Sequence, residues 1–253
     1  MDYERFVQRL SLQFEQDRKR LPIPWSISEG LADKVTADGR MNDFFGATTV
    51  IRLNEADLAR CAELQGRLFE AHPGALVPIE PDTFHLTIHA LSNGYNVSKE
   101  TERIRESIER HEPLVEKTFR EVSGLYAGRT IAMRSFGIGT SGKDVVSIKF
   151  YPVSANDCAL LHDLFERLER VYPLGKPFVP HVSLGYFQLR EYGAGETASL
   201  YATLDRLNAE GPFDLRLSVD DFVYQHHYSM NDFRDVFGVR DFLEISIQEG
   251  NHE

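Results

Sequence analysis

The chain has 253 residues, two cysteines and a formal net charge of -11. That length can bury a full core without covalent staples, and the acidic balance excludes a protein that clings to duplex DNA by neutralising many phosphates, leaving a small or single-stranded phosphorylated ligand open. No stretch approaches the roughly 20 apolar residues of a membrane span, residues 1–20 lack a signal-peptide core, and Cys61 and Cys158 form no CxxC pair, so the expectation is a soluble cytoplasmic protein, monomeric by default, without a disulfide framework or structural zinc.

Tyr3, Phe6, Val7, Leu10 and Phe14 recur at helical spacing in a charged background and predict an amphipathic helix packed on the main body. Residues 21–46, with Pro22, Pro24, Gly30 and Gly39, read as a long irregular connection, either a flank or lid over a site or a plain packing arm. Residues 1–44 thus form an extension to a main domain over 45–253. From Ala47 the pattern becomes regular: a β-branched strand to Leu53, a helix over 55–71 and an alternating strand over 83–91. A charged helix over 98–120 follows, then strands over 129–136 and 144–151 with a turn between them, a helix over 156–172 and a second alternating strand over 180–187. A helix over 196–209 and strands over 213–228 and 235–248 complete a chain of α/β or α+β class.

These segments repeat. Ile51-Arg52-Leu53 matches Ile148-Lys149-Phe150 at an offset of 97, Cys61-Ala62 matches Cys158-Ala159 at the same offset, and His85 and Thr87 match His181 and Ser183 at 96. Two copies of a strand, helix, motif-strand unit follow, related by a pseudo-twofold axis. On an alternating strand His85, Thr87 and His89 face one way and Phe84, Leu86 and Ile88 the other; in the second copy His181 and Ser183 oppose Val182, Leu184 and Tyr186. The same alternation turns Arg52 and Lys149 toward the histidine face, so each half offers a histidine, a hydroxyl and a cation to one cleft. One neutral imidazole can take a proton from water or a ribose hydroxyl while a protonated one supplies the leaving oxygen, and hydroxyl and cationic donors stabilise the non-bridging oxygens of a phosphoryl transition state. That chemistry calls for no metal and no cofactor.

Phe84-His85-Leu86-Thr87 and Pro180-His181-Val182-Ser183-Leu184-Gly185 resemble the paired Hx(T/S) motifs of the two-histidine phosphoesterase superfamily, over about residue 45 to the C-terminus. The resemblance implies a duplicated, two-lobed α+β fold with antiparallel-rich sheets flanked by helices around a central cleft. It implies His85 and His181 as an acid/base pair, Thr87 and Ser183 as phosphate ligands, and a cyclic or 2′-linked phosphodiester of a nucleotide or RNA end as substrate. Arg52 and Lys149 are the candidate substrate-binding cations. Residues 34–48, with Lys34-Val35 and Asp38-Gly39-Arg40, look more like an uncharacterised microbial subgroup than the small RNA enzymes.

His85 and His89 stand about 13 Å apart on a strand, too far to share one ion. His89 is either at the cleft rim or a solvent-facing strand histidine. Of His226 and His227, adjacent at a strand end, either one reaches the ligand or both are exposed. Gly137-Ile138-Gly139 with Gly142 lacks phosphate-loop spacing and reads as a hairpin turn. Leu160, Leu161, Leu164, Phe165 and Leu168 form a core stripe, Cys61 and Cys158 read as buried small apolar residues, and no acidic pair recurs at matched positions. A non-catalytic module that binds a phosphorylated nucleotide or RNA end in the same cleft is the alternative to an enzyme.

Overall fold

A computed structural model describes residues 2–19, 28–141 and 144–243. The expected first helix is α1 (Tyr3–Lys19), which buries Phe6, Leu10 and Phe14. Residues 28–45 are irregular as expected, apart from a short 3-10 turn at Glu29–Asp33 and a bridge between Val35 and Met41. Pro22 and Pro24 lie outside the described residues. The chain continues through β1 (Gly46–Arg52), α2 (Glu55–Ala71), β2 (Leu76–Pro78), β3 (His85–His89), α3 (Thr101–Tyr126), β4 (Thr130–Ser141), β5 (Val145–Pro152), α4 (Ala155–Val171) and β6 (His181–Phe187). Then come α5 (Ala194–Asn208), β7 (Asp214–Ser218), β8 (Phe222–Ser229) and β9 (Asp232–Gly238). No helix among the described residues is long and apolar enough to cross a membrane.

The strands form two antiparallel sheets, ordered β3-β1-β8-β9 and β2-β6-β5-β4-β7, flanked by helices, which is the α+β arrangement expected. The duplication is visible in the register. Arg52, Ile51 and Val50 of β1 oppose His85, Leu86 and Thr87 of β3, while Lys149, Ile148 and Ser147 of β5 oppose His181, Val182 and Ser183 of β6. Helices α2 and α4 are both 17 residues and both begin behind a side-chain cap, Asn54 accepting from the Asp57 N–H and Ser154 from the Asp157 N–H. Their starts are 100 residues apart rather than 97, because β5 runs on beyond the position matching the end of β1. Cys61 and Cys158 therefore sit about a turn apart on the two helices, both buried as expected.

The sheets are interleaved rather than sequential. β2 follows α2 yet pairs with β6, and β8 and β9 return from the end of the chain to β1. The single strand expected over 213–228 is for this reason two strands in different sheets, separated by a 3-10 turn at Val219–Asp221 where the chain crosses over. Likewise the strand expected over 235–248 is β9 up to Gly238 and then a helical turn, and residues 244–248 lie outside the described residues.

The glycines expected in a hairpin turn lie instead within β4, which continues past them to Ser141; Gly142 lies outside the described residues. A bulge between Ser135 and Gly137 absorbs the irregularity, and Gly137 takes φ 138°, a backbone conformation that glycine tolerates. Asn208 fills the space a side chain there would occupy, accepting from the Ile138 N–H at 2.7 Å and donating to the Ile138 carbonyl at 3.0 Å.

Gln65 of α2 ties the two motif regions together: its buried amide donates to the carbonyls of Ile79 at 2.6 Å and Leu184 at 2.7 Å. Gln65→Leu leaves both acceptors without that donor and is expected to cost on the order of 2–4 kcal/mol. Chemical denaturation measures it, and a loss under half a kcal/mol would show that the bridge is dispensable.

Candidate active site

β3 and β6 approach each other across the junction of the sheets. Leu86, Ile88, Val182 and Leu184 are buried in the core, as alternation requires, and His85, Thr87, His181 and Ser183 line one cavity of about 280 Å³. The two histidines are held alike. The Nδ1–H of His85 donates to the Thr83 carbonyl at 2.7 Å and that of His181 to the Val179 carbonyl at 2.8 Å, each acceptor lying two residues upstream. With Nδ1 so engaged, the free nitrogen of each ring is Nε2, an acceptor while the ring is neutral.

Both motif strands carry a bulge at the same place. Val50 and Thr49 oppose Thr87 and His89, leaving Ile88 as the extra residue, and Ser147 and Val146 oppose Ser183 and Gly185, leaving Leu184 extra. A bulge reverses the alternation beyond it. His89 accordingly leaves the face of His85 and Thr87: it is neither at the cleft rim nor solvent-facing but buried, with Nε2 2.9 Å from Glu169 of α4. Tyr186, expected on the apolar face with Val182 and Leu184, instead lines the cavity.

Arg52 and Lys149 keep the register that puts them opposite the histidines, yet neither lines this cavity. Arg52 ion-pairs with Asp235 of β9 beside a neighbouring cavity that it shares with His85 and Phe233. Lys149 lies under α1, among Leu10, Phe14 and Asp17, where burial pulls its ammonium down to about 8. Among the described residues the cation that lines the cavity is Lys34 of the irregular arm, whose Phe44 also lines it, so this segment flanks the site. No helical or strand periodicity marks Lys34, which is why sequence patterns passed over it.

His227, not His226, joins the cavity. It sits opposite Gly46, where a Cβ would come within 2.6 Å of His227 Nε2, and its Nδ1–H donates to the Phe44 carbonyl at 2.7 Å. His226 turns the other way and meets Glu112 of α3 at 3.0 Å. Among the described residues five Phe and Tyr rings, Phe44, Phe84, Tyr95, Tyr186 and Phe233, complete much of the wall. Phe84, expected on the face away from His85, is among them, and Phe233 lies edge-on to His85 with centroids 5.0 Å apart.

Desolvation holds the cavity histidines neutral. It lowers His85 and His227 to about 4, and His181, which also feels Lys149, His85 and Lys34, to about 3. Since free histidine titrates near 6.5, the unfolded chain binds more protons than the folded one below that pH. The stabilisation is complete above pH 6.5 and is lost as the pH falls from there toward 4. The thermal midpoint is therefore expected to drop between pH 7 and 4.5, and less steeply in His227→Asn; parallel curves for the two proteins would contradict this origin.

A scan against protein-family models and a search of curated protein sequences each return no match. Among solved structures the chain is similar to ATU0111, a conserved protein of unknown function from Agrobacterium tumefaciens, with a TM-score of 0.62 and 14% identity over 85% of this chain and 94% of that one. It is also similar to TT0787 of Thermus thermophilus, with a TM-score of 0.50 and 18% identity over 77% of this chain and 97% of that one. At these identities the likeness is one of fold.

Proposed function

We propose that the chain is a two-histidine phosphoesterase, a metal-independent enzyme that hydrolyses a cyclic or 2′-linked phosphodiester of a nucleotide or RNA end. What carries the proposal is the pair of histidines at matched positions of duplicated strands, both with Nδ1 bonded to a carbonyl and Nε2 left free in one cavity. One Nε2, neutral, takes a proton from the attacking water as the new P–O bond forms. The other, protonated, gives its proton to the oxygen that leaves as the old P–O bond breaks. Thr87 and Ser183 hydroxyls donate to the non-bridging oxygens. The aromatic walls suit stacking of a nucleobase, and the cavity of about 280 Å³ lies near the lower end of small-ligand sites.

A bound phosphodiester anion raises the depressed histidines and allows one of them to hold a proton at neutral pH. That same depression favours, in the empty cavity, the alternative of a module that binds a phosphorylated nucleotide without turning it over. Incubation with 2′,3′-cyclic nucleotides and 2′,5′-linked dinucleotides in EDTA decides between them: turnover is expected, and binding without turnover across the panel would establish the module instead.

A further inference from the structure

We propose that Lys34, carried into the cavity by the N-terminal arm, holds the substrate's phosphate and makes the site selective for a singly charged phosphoryl group. The inference deepens the phosphodiesterase reading and rests on it for its kinetic tests, while a binding test stands independently.

The arm that presents Lys34 is firmly seated. Leu31 and Val35, on either side, are fully buried. The Lys34 N–H donates to the Leu31 carbonyl at 2.9 Å, and the Lys34 carbonyl accepts from Asn42 at 2.8 Å. Two ties fasten the segment to the loop after β3: the Tyr95 hydroxyl donates to the Gly30 carbonyl, and Lys99 ion-pairs with Asp33. Lys34 thus enters the cavity from a fixed backbone.

Its ammonium then meets rings rather than carboxylates. Nζ lies 5.0 Å from the centroid of Tyr186, 5.1 Å from that of Tyr95 and 5.7 Å from that of Phe44, with the Tyr186 hydroxyl oxygen at 3.5 Å. Ring faces attract a cation but give it poor hydrogen-bond acceptors. An ammonium has three N–H donors, and among the described residues no carboxylate forms an ion pair with Lys34. A phosphoryl oxygen satisfies both its charge and its donors.

Charge then sets the selectivity. Among the described residues the cavity wall contains no carboxylate, so at pH 8, where its three histidines are neutral, Lys34 contributes the one formal charge of that wall. A phosphodiester monoanion brings the site to neutrality. A monoester dianion leaves it net negative inside a chain of charge -11, so the hydrolytic product is held less well than the substrate.

The test compares Lys34→Met, of similar volume, with Lys34→Arg and with Arg40→Ala, which removes an exposed cation from the same arm. At pH 8, where the histidines stay neutral, binding of dimethyl phosphate (a monoanion) and methyl phosphate (a dianion) is read by 31P line broadening. Wild type and Arg40→Ala are expected to favour dimethyl phosphate. Lys34→Met is expected to bind it roughly ten- to hundred-fold more weakly, the worth of one charge-assisted hydrogen bond, with Lys34→Arg between. In turnover of a cyclic nucleotide, Lys34→Met raises KM more than it lowers kcat and flattens the salt dependence. It also moves the acid limb of kcat/KM to higher pH, because Lys34 no longer depresses His181 and His227.

Unchanged dimethyl phosphate binding in Lys34→Met, an equal loss in Arg40→Ala, or a wild-type preference for methyl phosphate would each overturn the proposal. If wild type turns over no diester but its anion binding still depends on Lys34, the phosphodiesterase reading falls and the anion site stands. If His85→Ala and His181→Ala are inactive while Lys34→Met matches wild type throughout, the reading stands and the anion site falls.

Discussion

His85→Ala and His181→Ala are each expected to lower kcat/KM by about 10²–10⁴-fold, the usual worth of one positioned acid or base. Each ring presents a single free nitrogen to the cavity because its other nitrogen is bonded to a carbonyl two residues upstream. Removal of either ring takes away one of the two proton transfers and leaves the phosphate ligands in place, so kcat bears the loss and KM changes little. The double variant should be scarcely worse than the poorer single one, since the two groups act in one step. Thr87→Val and Ser183→Ala remove donors to the non-bridging oxygens and are expected to cost less, about ten- to hundred-fold.

The depressed histidines add a signature in pH. The singly protonated free enzyme becomes more abundant as the pH falls from 7 toward 5, because the cavity histidines titrate at about 4 or below. kcat/KM is therefore expected to rise about tenfold per unit of acidification over that range, and kcat, which reports the anion-bound enzyme, to rise less. Steady-state kinetics with thermal melts as a folding control measures this; full activity in either histidine variant would sink the mechanism.

Phe14→Ala is expected to destabilise the protein by about 3–5 kcal/mol, the usual cost of emptying a buried phenylalanine site, and to lower the thermal midpoint by on the order of 10 °C. Phe14 is buried, stacks on Phe136 with centroids 5.9 Å apart, and lies against the β4 glycines, where a Cβ on Gly137 or Gly139 would meet the ring at 3.1 or 3.3 Å. Gly137 and Gly139 have no side chains to fill the space, which leaves Phe136 as the neighbour on that strand that borders it. Phe14 and Asp17 also roof Lys149, so the variant should bring its ammonium up from about 8 as water enters. Calorimetry tests the first effect and pH-dependent amine labelling the second. A shift of the midpoint under 3 °C would mean that α1 is only loosely applied to the sheet.

Local pattern alone was enough to recover α1 from its apolar stripe, the two 17-residue helices, the repeat, and the cavity placement of His85, Thr87, His181 and Ser183. The reason is physical: helix and strand periods are properties of successive residues, and a duplicated motif repeats them. Alternation failed at His89 and Tyr186 because paired bulges reverse it, and a bulge is a mismatch between two strands that neither strand's own residues announce. Same-face placement also failed to bring Arg52 and Lys149 into the cavity, since Asp235 engages one and α1 covers the other across long sequence separations. Lys34 in the cavity, and His227 there rather than His226, were decided by tertiary structure alone. A coil residue has no period to betray it, and which of two adjacent histidines turns inward depends on a glycine 181 residues away, Gly46, whose missing side chain makes the room.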